Sequence, residues 1–247
     1  MSGALEIQGR GSELVDEPLA LRARGAGSAD ELVWRARLRD DDGRVWRSRA
    51  DTAEGLATAW VPAKETTGPI PALESLRPVR IDVRVESADG RTAARTFTRR
   101  FTDDGVRVRR WREGLAATLH LPVDEQPCAT VLLDATAGGQ PLAVATLAAP
   151  LLASRGALVL TVPPGPPGTP DEQLLAAAAD RLMSVPGAGS PQRLRVLDPF
   201  ATPGDREPAP AVVLPPGIGA RDGQGAARAR AVAWDALLAH LDARPRS

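Results

Sequence analysis

The stretch ATVLLDATAGGQPLAVATLAAPLLASRGALVLTV, residues 129–162, decides the fold class. Ala129 to Ala135 is a mainly apolar run without clear alternation, the pattern of a strand buried on both faces. Gly138-Gly139 breaks it. Leu142 to Ser154 then has the length and composition of a helix, which Pro150 should kink or shorten. Gly156 suits the cap after that helix, because glycine accepts the left-handed backbone found there. Ala157 to Val162 is a second buried strand. Strand, helix and strand in succession predict a parallel α/β sheet.

Downstream, the same alternation of elements continues. PPGPPGTP (163–170) reads as a rigid loop. Asp171 to Ser184 places Leu174, Leu175, Ala178 and Leu182 at helical spacing, with Thr169 or Asp171 available as cap. Leu194 to Leu197 is a third short strand, and Ala211 to Leu214 a further edge strand. Gln224 to Ala243 is the last helix.

Upstream, the period changes to two. Leu32, Trp34, Ala36 and Leu38 alternate with Val33, Arg35, Arg37 and Arg39, so one set faces inward. Asp40-Asp41-Asp42-Gly43 makes a turn, and Val45 to Ala50 returns, forming a hairpin. Val79, Ile81, Val83 and Val85 alternate with Arg80, Asp82, Arg84 and Glu86. Ser87-Ala88-Asp89-Gly90 turns the chain into Arg91 to Phe101. Val106 to Trp111 and Leu115 to Leu121 are also strands. Turns at short intervals between alternating strands predict an antiparallel β-sandwich over residues 14–108. Residues 109–247 follow as the strand–helix part, giving an α+β chain of two domains.

Composition narrows the function classes. The 247 residues balance 31 Lys+Arg against 31 Asp+Glu, so no net field gathers nucleic acid or an acidic membrane. No segment reaches the roughly 18 apolar residues of a membrane span. One cysteine, Cys128, forms no internal disulfide. A soluble cytoplasmic protein without cofactor or metal is the expectation. Only two histidines, His120 and His240, are present, which bears directly on catalysis because His is the commonest general base.

Four pieces occurring in order carry a family resemblance. They are DEPLALRARG (16–25) with Trp46-Arg-Ser-Arg-Ala50; VRVRRWREGLAATLHLP (106–122); ATVLLDATAGGQP (129–141) with LLASRGALVLTV (151–162); and GQGAARARAVAWDALLAHLD (223–242). Together they resemble the acyl-CoA thioester hydrolases and bile acid-CoA:amino acid N-acyltransferases. The resemblance implies an immunoglobulin-like sandwich followed by an α/β-hydrolase domain, here a truncated one. It also implies hydrolysis or transfer of an acyl-CoA acyl group by a Ser or Cys nucleophile, a carboxylate and a His.

Residue by residue, that catalytic set does not carry over. The elbow needs glycines flanking its nucleophile. In register, the first glycine place holds Asp198, the nucleophile place Phe200 and the second glycine place Thr202. Pro199 and Pro203 bar the helix that should start there. None of the ten serines lies in a G-x-S-x-G context. Cys128 precedes the first buried strand and reads as a packed cysteine. His120 alternates outward from Leu119 and Leu121, and His240 lies inside the last helix. No catalytic residue is therefore assigned; Thr202 and His240 are the candidates nearest to one, with Asp198 and Asp205 beside the lost elbow.

Gly138 and Gly139 match the family's Gly-rich turn, which helps form an oxyanion site, but read structurally they are a tight strand-to-helix turn. Arg99-Arg100 with Arg107, Arg109, Arg110 and Arg112 is the densest basic cluster. It fits the phosphates of coenzyme A or of a nucleic acid, or a solvated, salt-bridged face, which the interleaved Asp103-Asp104 and the strand alternation favour. The expectation is a catalytically degenerate relative in acyl-CoA metabolism whose partner is acyl-CoA or a protein. The alternatives are an active hydrolase or acyltransferase with atypical residues, and a non-catalytic interaction or scaffold protein.

Overall fold

The computed structural model describes residues 4–17, 19–26, 31–53, 56, 61–63, 76–112, 115–196, 211–212 and 223–241. The chain divides into two compact units, residues 1–100 with 216–229, and residues 101–215 with 230–247.

The first unit is built of strands. These are β1 (Glu6–Gln8), β2 (Ser12–Leu14), β3 (Arg22–Arg24), β4 (Leu32–Arg39), β5 (Val45–Ala50), β6 (Val61–Pro62), β7 (Val79–Ser87) and β8 (Thr92–Arg100). Six form one sheet in the order β2-β8-β7-β4-β5-β6, and β1 pairs with β3. All pairs are antiparallel except β2 with β8. The register sets Leu38 beside Trp46 and Ile81, and Ile81 beside Phe97. All four are buried, so one face of the sheet is apolar as period two requires.

Two polar devices in this unit are more specific than alternation. At the β4–β5 turn, Asp40 accepts from the Trp46 indole N–H at 2.8 Å and from the Arg44 backbone N–H at 2.7 Å. Gly43 closes that turn at φ 77°, a backbone that favours glycine. Arg99, expected on a solvated basic face, is instead buried and ion-paired to buried Glu13 at 2.9 Å. It also donates to the carbonyls of Val15 and Glu17. Burial pushes the Glu13 carboxyl up, and the Arg99 charge opposes that rise.

The second unit holds β9 (Arg107–Trp111), β10 (Ala117–Leu121), β11 (Ala129–Asp134), α1 (Gly139–Ser154), β12 (Ala157–Val162), α2 (Asp171–Met183), β13 (Gln192–Val196) and β14 (Ala211–Val212). Most of α3 (Gly223–His240) also lies in it. The sheet order is β14-β13-β11-β12-β10-β9. The four strands β11 to β14 are parallel, as expected. The sheet as a whole is mixed, because β10 runs antiparallel to β12 and β9 antiparallel to β10. The short connection between β9 and β10 permits only an antiparallel pair.

Each sheet face has its own cover. Leu119, Leu132, Leu158, Leu160 and Val162 pack with Leu174, Leu175, Ala178 and Leu182 of α2. Helix α1 packs along β12, and Val131, Leu133 and Val159 point away from the α2 cluster and are fully buried. The mainly apolar composition of β11 and β12 follows from this double cover.

Two local expectations are corrected. Helix α1 starts at Gly139 and runs on past Pro150 to Ser154. Its second half, Leu147 to Ser154, is wholly buried, and that packing outweighs the missing proline N–H. Ser154 ties this turn down, donating its hydroxyl to the Pro150 carbonyl at 2.7 Å and accepting from the Asp103 N–H at 2.8 Å. At α2, neither Thr169 nor Asp171 is the cap: Pro170 stands there, with no side-chain cap bond. Asp171 and Glu172 occupy the first turn instead, where the helix dipole favours negative charge.

Candidate functional site

In an open α/β sheet, ligands gather at the carboxyl ends of the parallel strands, where loops lead into helices. Here that end is marked by Asp134, the last residue of β11. Thr136 donates its backbone N–H to Asp134 at 3.2 Å and its hydroxyl at 2.7 Å, which closes a local turn. Gly138 then precedes α1 at φ 67°, its N–H bonded to the Ala135 carbonyl at 3.0 Å. A Cβ at Gly138 would lie 2.9 Å from Cγ of Pro164, so the position needs glycine for both backbone and space. Gly139 follows at φ 55° and opens the helix. The expected strand-to-helix turn is thus formed, with backbone donors of the first α1 turn at its tip.

Arg193, on neighbouring β13, was not singled out by the sequence. Its guanidinium bonds Asp134 at 2.8 Å and both carboxylate oxygens of Glu172 at 3.1 Å. Burial acts to raise the Asp134 carboxyl, but the hydrogen bonds from Arg193 and Thr136 prevail and hold it below the usual range. Asp134 is therefore a charged anchor across β11, β13 and α2 rather than a general acid. Only strand pairing brings these residues together, so no local spacing announces them.

His120 lies away from this turn. His120 is aligned with Val159 of β12, and Val159 with Val131 of β11. That level is three residues short of Asp134, or about 10 Å along the strand, and two strands across. The expectation that His120 alternates outward is also corrected. It is buried at 5% exposure, because both faces of this sheet are covered. Its Nδ1 has no hydrogen-bond partner among the described residues. Burial pushes the imidazole down to about 4, so it is neutral at pH 7. His240 is the last residue of α3 and is exposed.

Cys128 is exposed rather than packed, with Sγ 3.8 Å from the Arg155 carbonyl. It sits just before β11, at the opposite end of that strand from Gly138, about 20 Å away by strand rise. It cannot serve a reaction at the Gly-rich turn. Asp198, Phe200, Thr202 and Asp205 lie outside the described residues. Among the described residues, no three His, Cys, Asp or Glu side chains gather to hold a metal ion. No described helix is long and apolar enough to cross a membrane.

No protein-family model matches the chain. It is 33% identical over 156 residues to the peroxisomal succinyl-coenzyme A thioesterase of Mus musculus, covering 51% of this chain and 37% of that protein. It is 32% identical over 192 residues to acyl-coenzyme A thioesterase 1 of Rattus norvegicus, covering 66% and 45%. Against mitochondrial acyl-coenzyme A thioesterase 2 of Mus musculus the identity is 30% over 191 residues, covering 65% and 41%. These distant relatives support the acyl-CoA thioesterase family. The chain spans less than half the length of the curated relatives it matches.

Proposed function

We propose that this chain binds acyl-CoA and that its 247 residues carry no complete thioester-hydrolysing set. In this reading the β-sandwich expected at 14–108 and the shortened α/β-hydrolase expected at 109–247 keep the relatives' architecture without its chemistry. The observation that carries it is the placement of the histidines. Acyl transfer through Ser or Cys needs an imidazole within hydrogen-bond reach of the nucleophile. His120 is neutral inside the sheet, about 10 Å along the strand from the level of Asp134 and two strands across from it. His240 is exposed on α3. At the elbow register Phe200 offers no nucleophilic atom, and Thr202 is the nearest hydroxyl.

The test is release of free CoA from a panel of acyl-CoA thioesters, followed by a thiol reagent. The reading expects no rate above the uncatalysed background while the same samples bind the thioester. Turnover that disappears on Thr202→Ala or His240→Ala overturns it and establishes an active enzyme with atypical residues.

A further inference from the structure

We propose that a groove in the second unit, beside the edge strand β9, binds a phosphorylated nucleotide through Arg107 and Arg109. These residues are two apart on one strand, so both project on one face. The register pairs Arg107 with Leu121 and Arg109 with Leu119, which is the face covered by α2. Beyond the end of α2 that face is open, and a groove of about 330 Å³ lies there. This is within the range of small-ligand sites, roughly 300–1,000 Å³. Leu158 and Leu121 make its floor, and Val185 and Pro186 one apolar wall. Gly187 seals the junction: a Cβ there would lie 3.1 Å from the Glu125 carbonyl, so the turn after α2 abuts the β10–β11 connection.

Arg35, Arg91 and Arg193 each have a carboxylate within 2.8 Å. The Arg107 and Arg109 side chains have no hydrogen bond or ion pair among the described residues, and they line a concave surface. A guanidinium presents a planar fork that matches phosphate oxygens in two-bond geometry. Two such forks on adjacent same-face positions suit a terminal phosphate or bisphosphate. Asp124 and Glu125 also line the groove. They repel a ligand that is anionic throughout and accept hydrogen bonds from hydroxyl or amino groups. A nucleoside phosphate has both ends: phosphates for the arginines, and ribose hydroxyls or a base amine for the carboxylates. The apolar floor accommodates the face of the base.

Coenzyme A, whose nucleotide end is adenosine 3′,5′-bisphosphate, is one source of this chemistry, and a free nucleotide is the other. Only the choice of coenzyme A rests on the function proposed above. The test is calorimetric titration of the full chain with adenosine 3′,5′-bisphosphate, coenzyme A and inorganic phosphate. The bisphosphate should bind, and the Arg107→Ala/Arg109→Ala double variant should weaken it roughly ten-fold or more. The corresponding double lysine variant should recover part of that loss. Val185→Trp, which adds bulk to the groove and leaves both arginines in the sequence, should weaken binding as well. Arg84→Ala, an exposed site on β7, should leave it unchanged. Unchanged affinity in the double alanine and Val185→Trp variants, no binding of the bisphosphate, or inorganic phosphate binding as tightly overturns the proposal. Coenzyme A bound equally well by wild type and the double alanine variant also overturns the groove while sparing the acyl-CoA reading. Bisphosphate bound but coenzyme A and its thioesters refused supports the groove and overturns the acyl-CoA reading.

Discussion

Replacing His120 by Leu should make the protein more resistant to mild acid. The imidazole is buried, its Nδ1 has no partner among the described residues, and burial moves it from 6.5 down to about 4. In the unfolded chain it titrates at its ordinary value. Between those two values the unfolded state binds the extra proton and the folded state does not, so stability falls as pH falls. The full loss across the window is about 3 kcal/mol, from about 1.4 kcal/mol for each pK unit. At pH 5.0 the unfolded imidazole is almost wholly protonated and the folded one about one-tenth, which leaves about 2 kcal/mol of loss relative to pH 7.5. The assay is urea unfolding at pH 7.5 and 5.0 for wild type and His120→Leu, with equal slopes required. Titrations of the other groups appear in both proteins and cancel in the difference. The variant should be as stable as wild type or more so at pH 7.5, since an unsatisfied buried polar atom is removed. At pH 5.0 it should be the more stable by a further 2 kcal/mol or so. An identical acid loss in both proteins would refute the assignment of His120 as a buried neutral imidazole.

Other outcomes follow from the packing. Gly138→Ala forces a Cβ to within 2.9 Å of Pro164 at φ 67°, and should cost about 1–3 kcal/mol, read as a lowered urea midpoint. Leu133→Ala empties a fully buried site between β11 and its cover, and should cost about 2–5 kcal/mol by the same measurement. Asp134→Asn weakens the tie to Arg193 at neutral pH. Because the folded carboxyl titrates below its unfolded value, the wild-type advantage should be present above about pH 4 and fade as pH falls through the folded value. Thermal unfolding of both proteins at pH 7 and pH 3 reads the difference.

The parts of the fold visible in the sequence are those whose burial is written locally. Val79 to Glu86 alternates because β7 has one face on a core and the other in water, and the structure reproduces that alternation position by position. Ala129 to Ala135 and Ala157 to Val162 read as buried strands because two covers leave no polar face. The same rule misleads at His120. Period two gives the face to which a side chain points, not what lies over that face. Pro150 misleads for a related reason: helix propensity is local, whereas the packing that carries α1 past it is not. Asp40, read only as a turn residue, is buried because Trp46 returns its indole N–H across the hairpin. The Gly138–Gly139 turn was legible because its backbone demands glycine. Arg107 and Arg109 were legible as part of a basic cluster, but the Arg193 anchor and the groove beside those arginines were not, since strand order and the turn after α2 assemble them from distant segments.

The most direct test of the account is a single-turnover experiment with protein in excess over an acyl-CoA thioester. Bound thioester and free CoA thiol are followed in the same sample. The account predicts saturable binding while thiol appears only at the uncatalysed rate. Thiol release that tracks the bound fraction, and is abolished by one substitution elsewhere than Arg107 and Arg109, would contradict it.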